Sequence, residues 1–381
     1  MSIPKKNLNG SRILLAAEYI QYGGTRTYVQ DLLRFYSEAG AHVHLVTSYS
    51  EPDEAMATLV ESYGFKFTTF KSLSEKSNPK LRNNHATVWS RQAFNREVNM
   101  FKRFMSHNHL ERSVISVGTS GLFLSATHAG TEPIMIAHGY PHGLKQKFFG
   151  STLMANLLPN DIKIITMSDF ARKAFIDSWC KHNAKLSIQT LYSTCGARQE
   201  SLPITDRRNR ILTAALVETH KRPFDWAKIA EKTQQLTDIP DLSFIWLGEG
   251  PLRQDAIQFI DQLGLSRTSF PGWSDSPSSY YRDSKVYLQT SSKESLGLSA
   301  IDAMRFGIPA VTTAAGGLPE VVSDGVTGFV VPIGDTSAAA SAVAELLSDT
   351  NLWTRQSKAA YESYQDKFSP EKWERDLMDA H

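Results

Sequence analysis

The sequence predicts an α/β protein of two doubly wound, Rossmann-like parallel-sheet domains facing a cleft, and three observations predict it. The chain has 381 residues, too many for one ordinary domain and enough for two of about 150–200. Short apolar runs alternate with helical periodicity, the pattern of a parallel sheet covered by helices on both faces. A polar stretch near residue 200 interrupts this alternation, which then restarts. Hydrophobic residues make up 41% and charged residues 21%, which excludes a disordered chain. No apolar run approaches the ~18 residues of a membrane span, and no short-period repeat points to a solenoid or propeller. The opening segment M-S-I-P-K-K-N-L-N-G-S-R lacks the apolar stretch of a secretory signal. Two cysteines, Cys180 and Cys195, are too few to staple the fold or to hold zinc alone. They are expected as free thiols in a reducing cytosol.

The elements follow in order. Residues 12–18 (R-I-L-L-A-A-E) form a short apolar run, read as a buried strand. A Gly23-Gly24 turn and a helix through Tyr28, Leu32, Leu33 and Tyr36 follow, ended by Ala39-Gly40. Further strands are expected at 42–46, 65–70, 114–117, 134–137, 162–167 and 187–191, with helices between most of them. Residues 71–82 show no period and read as a basic surface loop. Residues 88–105 read as an amphipathic helix. Residues 197–210 are polar and read as a linker. Beyond it, strands are expected at 211–216, 242–247, 286–289, 310–313 and 328–331. Helices are expected at 226–236, 252–263, 337–347 and 352–367. A final helix from 368 opens with Ser369 as cap and Pro370 in its first turn.

Net charge is +2, but the halves differ: residues 1–200 carry a balance of +8 and residues 201–381 one of −6. Such asymmetry fits either an anionic partner of the first half or mutual attraction of two lobes.

The segment E-S-L-G-L-S-A-I-D-A-M (294–304) carries the chemistry. It sits where a strand ending near Thr290 turns into a helix beginning near Leu298. The amides of Ser295, Leu296, Gly297 and Leu298, with the helix dipole, make an anion cradle suited to a diphosphate. Glu294 lies at its mouth as a hydroxyl acceptor, and the sequence shows no structural partner for it. Asp302 stands one helical stretch behind, where a carboxylate can accept from a vicinal diol. This segment resembles the acidic–seven-residue–acidic motif of glycosyltransferase family 4, the retaining group 1 enzymes of GT-B fold. Residues 307–335 are similar to that family's signature almost throughout, and the likeness reaches W-L-G-E-G-P-L-R (246–253), F-P-G-W (270–273) and residues 13–25.

The resemblance implies an NDP-sugar donor, a glycan or lipid-linked acceptor, and no metal or cofactor. Glu294 matches the position that binds donor-sugar hydroxyls, and Asp302 the one that binds the ribose, where the family usually has Glu. Residues 295–298 match the backbone holding the donor phosphates. The family's phosphate Arg falls on Ala215, Leu216 or Val217, none of them cationic. Its Lys falls on Lys221 or Arg222, and either or both are expected to stabilise the leaving diphosphate. Gly23 and Gly24 look like the loop nearest the donor phosphates. His138, after the strand I-M-I-A, matches the family's cleft histidine; a histidine bonded within the core is the other reading. Gly248 and Gly250 form a G-x-G turn after a strand, and Trp273 is placed beside the base or in the fold's framework. No Asp-x-Asp metal pair occurs in a strand–turn context.

The expected function is retaining, metal-independent glycosyl transfer in bacterial surface polysaccharide or lipopolysaccharide synthesis. Two rivals stay open: a sugar-nucleotide epimerase or hydrolase of similar fold, and a catalytically weak sugar-nucleotide-binding partner. The resemblance places 1–200, with 368–381 returning to it, as the acceptor domain and 201–367 as the nucleotide-sugar domain. The excess charge of Lys71, Lys76, Lys80, Arg82, Arg91, Lys102, Arg103, Lys145 and Lys147 is expected to dock the first domain on an anionic membrane. Its expected location is cytoplasmic, at the inner face of the cell membrane. Nucleic acid is not expected as a partner.

Overall fold

Each predicted strand core is apolar on both faces, and a strand of that kind is stable only inside a sheet covered on both sides. The computed structural model shows two such sheets; it describes residues 8–17, 24–47, 53–77, 91–117, 124–141, 157–180, 183, 185–194, 207–274 and 276–381. The first sheet has seven strands: β1 Arg12–Ala17, β2 His42–Thr47, β3 Lys66–Thr69, β4 Arg112–Val117, β5 Thr131–Ala137, β6 Lys163–Thr166 and β7 Ser187–Thr190. Their order is β3-β2-β1-β4-β5-β6-β7, every pair parallel. The second has β8 Arg208–Ala214, β9 Ser243–Leu247, β10 Thr268–Gly272, β11 Ser284–Gln289, β12 Ala310–Thr313 and β13 Gly328–Val331. Their order is β10-β9-β8-β11-β12-β13, again all parallel. Relabelled from one, this is the doubly wound order 3-2-1-4-5-6.

The chain divides into two compact units, Met1–Tyr192 with Trp373–His381, and Ser193–Lys372. In the first unit the helix Gly24–Glu38 buries Tyr28, Leu32, Leu33 and Tyr36, the stripe that its periodicity predicts. Trp373 is buried edge-on against Tyr28 and Phe35. The Tyr36 hydroxyl lies 2.9 Å from His381 Nε2, and Lys163 Nζ donates to the Ala380 carbonyl at 2.7 Å. In the second unit Trp226, Phe244, Trp246 and Phe270 meet in one aromatic cluster.

Several expectations need correction. Residues 71–82 are not a loop throughout: Phe70–Ser77 is a helix. Phe70 and Leu73 are buried in the core, and Thr69 Oγ1 accepts from the Ser72 amide at 3.1 Å. The third strand therefore ends before Phe70. The polar stretch to 210 yields at Arg208, where β8 starts. Its arginines are accommodated at the strand's edge: Arg210 lies 3.6 Å from Asp283 and over the Tyr280 ring. The strand β10 (T-S-F-P-G) is not among the expected strands, and it carries a proline. Among the described residues it pairs only with β9, and an edge strand tolerates proline. The amphipathic helix runs Arg91–His107. Cys195, Lys80, Arg82, Lys145 and Lys147 lie outside the described residues.

Candidate active site

Strand order in the second sheet reverses between β8 and β11, which run side by side while their following segments leave in opposite directions. Such a point opens a crevice beyond the carboxyl ends of the strands. Two loops leave there, 215–222 after β8 and 290–297 after β11. They are stitched together: the Ser292 amide donates to the His220 carbonyl at 2.7 Å, and Thr290 Oγ1 donates to the Lys221 carbonyl at 2.8 Å. The first loop ends in a turn of 3-10 helix, Thr219–Lys221. Arg222 follows in the left-handed region at φ 57°, and Pro223 opens the next helix, Pro223–Leu236.

This stitching carries Lys221 onto Glu294, 73 residues away, where Nζ donates to Oε1. Ser291 Oγ donates to the same oxygen at 2.8 Å, and so does Gln289 Nε2. The side chains of Lys221 and Glu294 are 16% and 12% exposed. Burial works to raise the Glu294 carboxyl, but the Lys221 ammonium and the two neutral donors outweigh it, so the group is held below the usual carboxylate range. Glu294 is thus not the unpartnered carboxylate that the sequence suggested. Lys221 lies on another loop and Gln289 inside a strand, where spacing gives no signal, and Ser291 stands three residues before it on the same loop.

The two candidate cations separate. Lys221 joins Glu294, whereas Arg222 pairs with Asp225 three residues on. Behind the cradle, Gly316 presses on the Glu294 backbone: at φ 57° an added Cβ would stand 1.8 Å from the Glu294 carbonyl oxygen. Gly297 caps the helix Leu298–Arg305 at φ 109°. That helix's first amides have no intrahelical carbonyl to bond. Gly297 is needed first for packing, since a Cβ there would meet Leu318 Cδ2 at 2.5 Å. Leu296 is buried, and Ser295 and Leu298 are half-buried. Asp302 points within reach of Arg305 at 3.0 Å; burial raises its carboxyl, against the pull of that guanidinium. Gly248 and Gly250 sit against the first loop, with added Cβ atoms 1.9 Å from the Ala215 carbonyl oxygen and 2.5 Å from that of Val217. They seat that loop. Trp273, just past β10, is 42% exposed.

In the first unit His138 follows β5, at the carboxyl end of the sheet. Its Nε2 lies 2.6 Å from Ser116 Oγ, and its ring stands edge-on to Tyr28 at 4.8 Å. Gly24 opens the helix Gly24–Glu38; Gly23 lies outside the described residues. Ser116 and Tyr28 were not singled out by sequence reasoning, since each reads as an ordinary core residue. Burial pushes His138 down to about 4, so the folded state prefers the neutral ring. The unfolded chain then binds more protons between its ordinary value of 6.5 and about 4, and stability falls as pH falls through that window. His44, also pushed down to about 4 by burial, adds to the slope. Melting curves from pH 7 to 4 should show His138→Gln losing less stability on acidification than the wild type. Parallel curves for the two would contradict a buried neutral His138.

Comparison with known proteins follows the same division. Residues 197–363 match the family model described as glycosyl transferases group 1. N-acetyl-alpha-D-glucosaminyl L-malate synthase of Bacillus anthracis is 34% identical over 133 residues, 35% of this chain and 35% of that protein. The lipopolysaccharide core biosynthesis glycosyltransferase LpsE of Rhizobium meliloti is 32% identical over 130 residues, 34% of this chain and 38% of its own. The matched region thus spans little more than a third of these relatives. Among solved structures, TarM of S. aureus, in complex with Fondaparinux, alpha-GlcNAc-glycerol and UDP, superposes with a TM-score of 0.75 at 13% identity, covering 97% of this chain and 99% of its own. HepE of Anabaena in complex with UDP gives 0.73 at 18%, covering 97% and 98%. The chain therefore shares the two-sheet Rossmann-like fold of the GT-B glycosyltransferases, and its residues 197–363 carry the sequence pattern of the group 1 family.

Proposed function

We propose that this chain is a retaining, metal-independent glycosyltransferase of the family 4 type, moving a sugar from an NDP-sugar to a glycan or lipid-linked acceptor. The observation that carries the reading is the Lys221–Glu294 pair at the start of the helix Leu298–Arg305, inside the region matched by the group 1 family model. A donor diphosphate laid on amides 295–298 meets the helix dipole and the Lys221 ammonium, which stabilise charge as the sugar–phosphate bond breaks. That is the electrostatic task a metal ion performs in other transferases. Glu294 receives sugar hydroxyls, and Asp302 the ribose. Retention follows from attack on the face that the diphosphate leaves, with a phosphate oxygen taking the acceptor's proton. UDP in the TarM and HepE complexes supports a uridine donor. The relatives named for lipopolysaccharide core and Vi polysaccharide synthesis support a bacterial surface glycan as acceptor.

Incubating the protein with radiolabelled UDP-sugars and bacterial lipid extract tests this reading. Labelled glycan or glycolipid should form, with the anomeric configuration of the donor kept, and EDTA should leave the rate unchanged. Free sugar or a new epimer as sole product would instead establish the hydrolase or epimerase, and binding without turnover the partner protein. A rate abolished by EDTA and restored by Mg²⁺ would overturn the metal-free mechanism.

The first unit is proposed to dock on an anionic leaflet. The helix Arg91–His107 exposes Arg96, Lys102 and Arg103 on one side, and each basic group near such a surface contributes about 1 kcal/mol. Among the described residues no helix is long and apolar enough to cross a membrane. Co-sedimentation with phosphatidylglycerol vesicles should be strong at 0.05 M salt and lost at 1 M, where screening shortens to ~3 Å; binding that ignores salt would sink the electrostatic account.

A further inference from the structure

We infer that Gln289 is a positioning residue, resting on the transferase reading above: it fixes Glu294 so that one carboxylate oxygen is anchored in the protein and the other is presented to the donor sugar. Gln289 is the last residue of β11 and is 2% exposed. A buried amide is costly unless its polar atoms are bonded, so a glutamine at the end of a core strand calls for a purpose. Side chains alternate along a strand, which puts Gln289 on the same face as Tyr287, beneath the 290–297 loop. Its Nε2 donates to Glu294 Oε1 and lies 3.4 Å from Ser291 Oγ. Its Oε1 lies 3.4 Å from the Tyr287 hydroxyl, which in turn is 2.7 Å from Ser299 Oγ in the helix Leu298–Arg305. The carboxylate fixes the amide's orientation, because only the NH2 end can face an acceptor.

The asymmetry at Glu294 is the informative point. Lys221, Gln289 and Ser291 all donate to Oε1, and Oε2 has no protein donor among the described residues. One oxygen is thus saturated while the other keeps its lone pairs for a ligand. Lys221 is the donor that a bound diphosphate would draw away. Gln289 and Ser291 are neutral and remain, so Glu294 keeps its charge and orientation when Lys221 turns to the phosphates. A leucine or methionine at 289 would fill the same volume and lose this function.

The test separates the positioning role from the transferase reading. Protein carrying 13C-labelled glutamate carboxyls is titrated by NMR as wild type and as Q289M, the Glu294 signal being the one missing in Glu294→Gln. The Glu294 midpoint should rise by about one pH unit in Q289M, since a hydrogen bond to the charged form is lost. Turnover of UDP-glucose and UDP-N-acetylglucosamine is measured in parallel. Q289M should lower kcat about tenfold and change KM less than about threefold. In the Glu294→Gln background it should cost nothing more, because the two residues act as one. An unmoved midpoint, or an additive loss in the double variant, overturns the proposal. If the wild type turns over neither UDP-sugar, the choice of a uridine donor falls and the titration alone decides the Gln289–Glu294 coupling. If Q289M fails to fold, Gln289→Leu takes its place; failure of both makes Gln289 a structural residue and ends the proposal.

Discussion

Lys221→Ala is expected to lose roughly 30- to 1,000-fold in turnover, the equivalent of about 2–4 kcal/mol of transition-state stabilisation for a removed charge donor. Arg222→Ala should stay within a few-fold of wild type, since Arg222 is paired with Asp225 and is more exposed. The loss at Lys221 has a second signature in stability. With Lys221 present, Glu294 has a lowered value and contributes stability that is full above its ordinary 4.5. That contribution disappears only as pH falls through the lowered value. Without Lys221, burial is opposed by neutral donors alone, the folded-state carboxyl moves back up, and the Lys221→Ala variant loses less stability on acidification than the wild type. Initial rates with a UDP-sugar and melting temperatures from pH 7 to 4 check both halves. Equal, small losses at Lys221 and Arg222 would show that another cation holds the diphosphate.

Gly316→Ala should abolish activity through the backbone, without touching any side chain of the site. The added methyl would stand 1.8 Å from the Glu294 carbonyl oxygen, so either the 294–297 loop or the 315–317 turn must move. Overpacking of this kind costs about 1–3 kcal/mol, and the left-handed backbone adds roughly 1–2 for a residue with a Cβ. A melting temperature lowered by several degrees, with turnover lost even well below it, is the expected result. A variant with wild-type rates would show that the loop has slack which the packing denies.

These expectations show where the sequence was legible and where it was not. The strands were readable because a strand buried on both faces is a bare apolar run, as in β1. The cradle was readable because strand, turn glycine and helix start are local in sequence, from Thr290 to Leu298. The partners of Glu294 were not. Lys221 reaches it only because β8 and β11 are neighbours at the point of reversal, and the sequence left Lys221 and Arg222 undivided. Gln289 reads as one polar residue at a strand's end, and its meaning depends on a carboxylate folding back over it. The β10 strand was hidden by a proline that only an edge position allows. Residues 71–82 looked like a loop because their polar letters show no period, although Leu73 at the start of that stretch is buried beside Phe70.

The contacts of Trp373–His381 have a consequence for how the protein comes off the ribosome. Tyr28 and Tyr36 belong to the first helix, yet the groups that pack on them, Trp373 and His381, are each 345 positions later in the chain. The first unit is made early, but one side of its opening helix stays uncovered while the whole second unit is synthesised. At about 5–20 residues per second that wait lasts roughly 10–40 s. Meanwhile the second unit, continuous in sequence, has every strand it needs. Assembly is therefore expected to finish out of order, the later-made half first, with an aromatic surface on the earlier half open to chaperones in the interval.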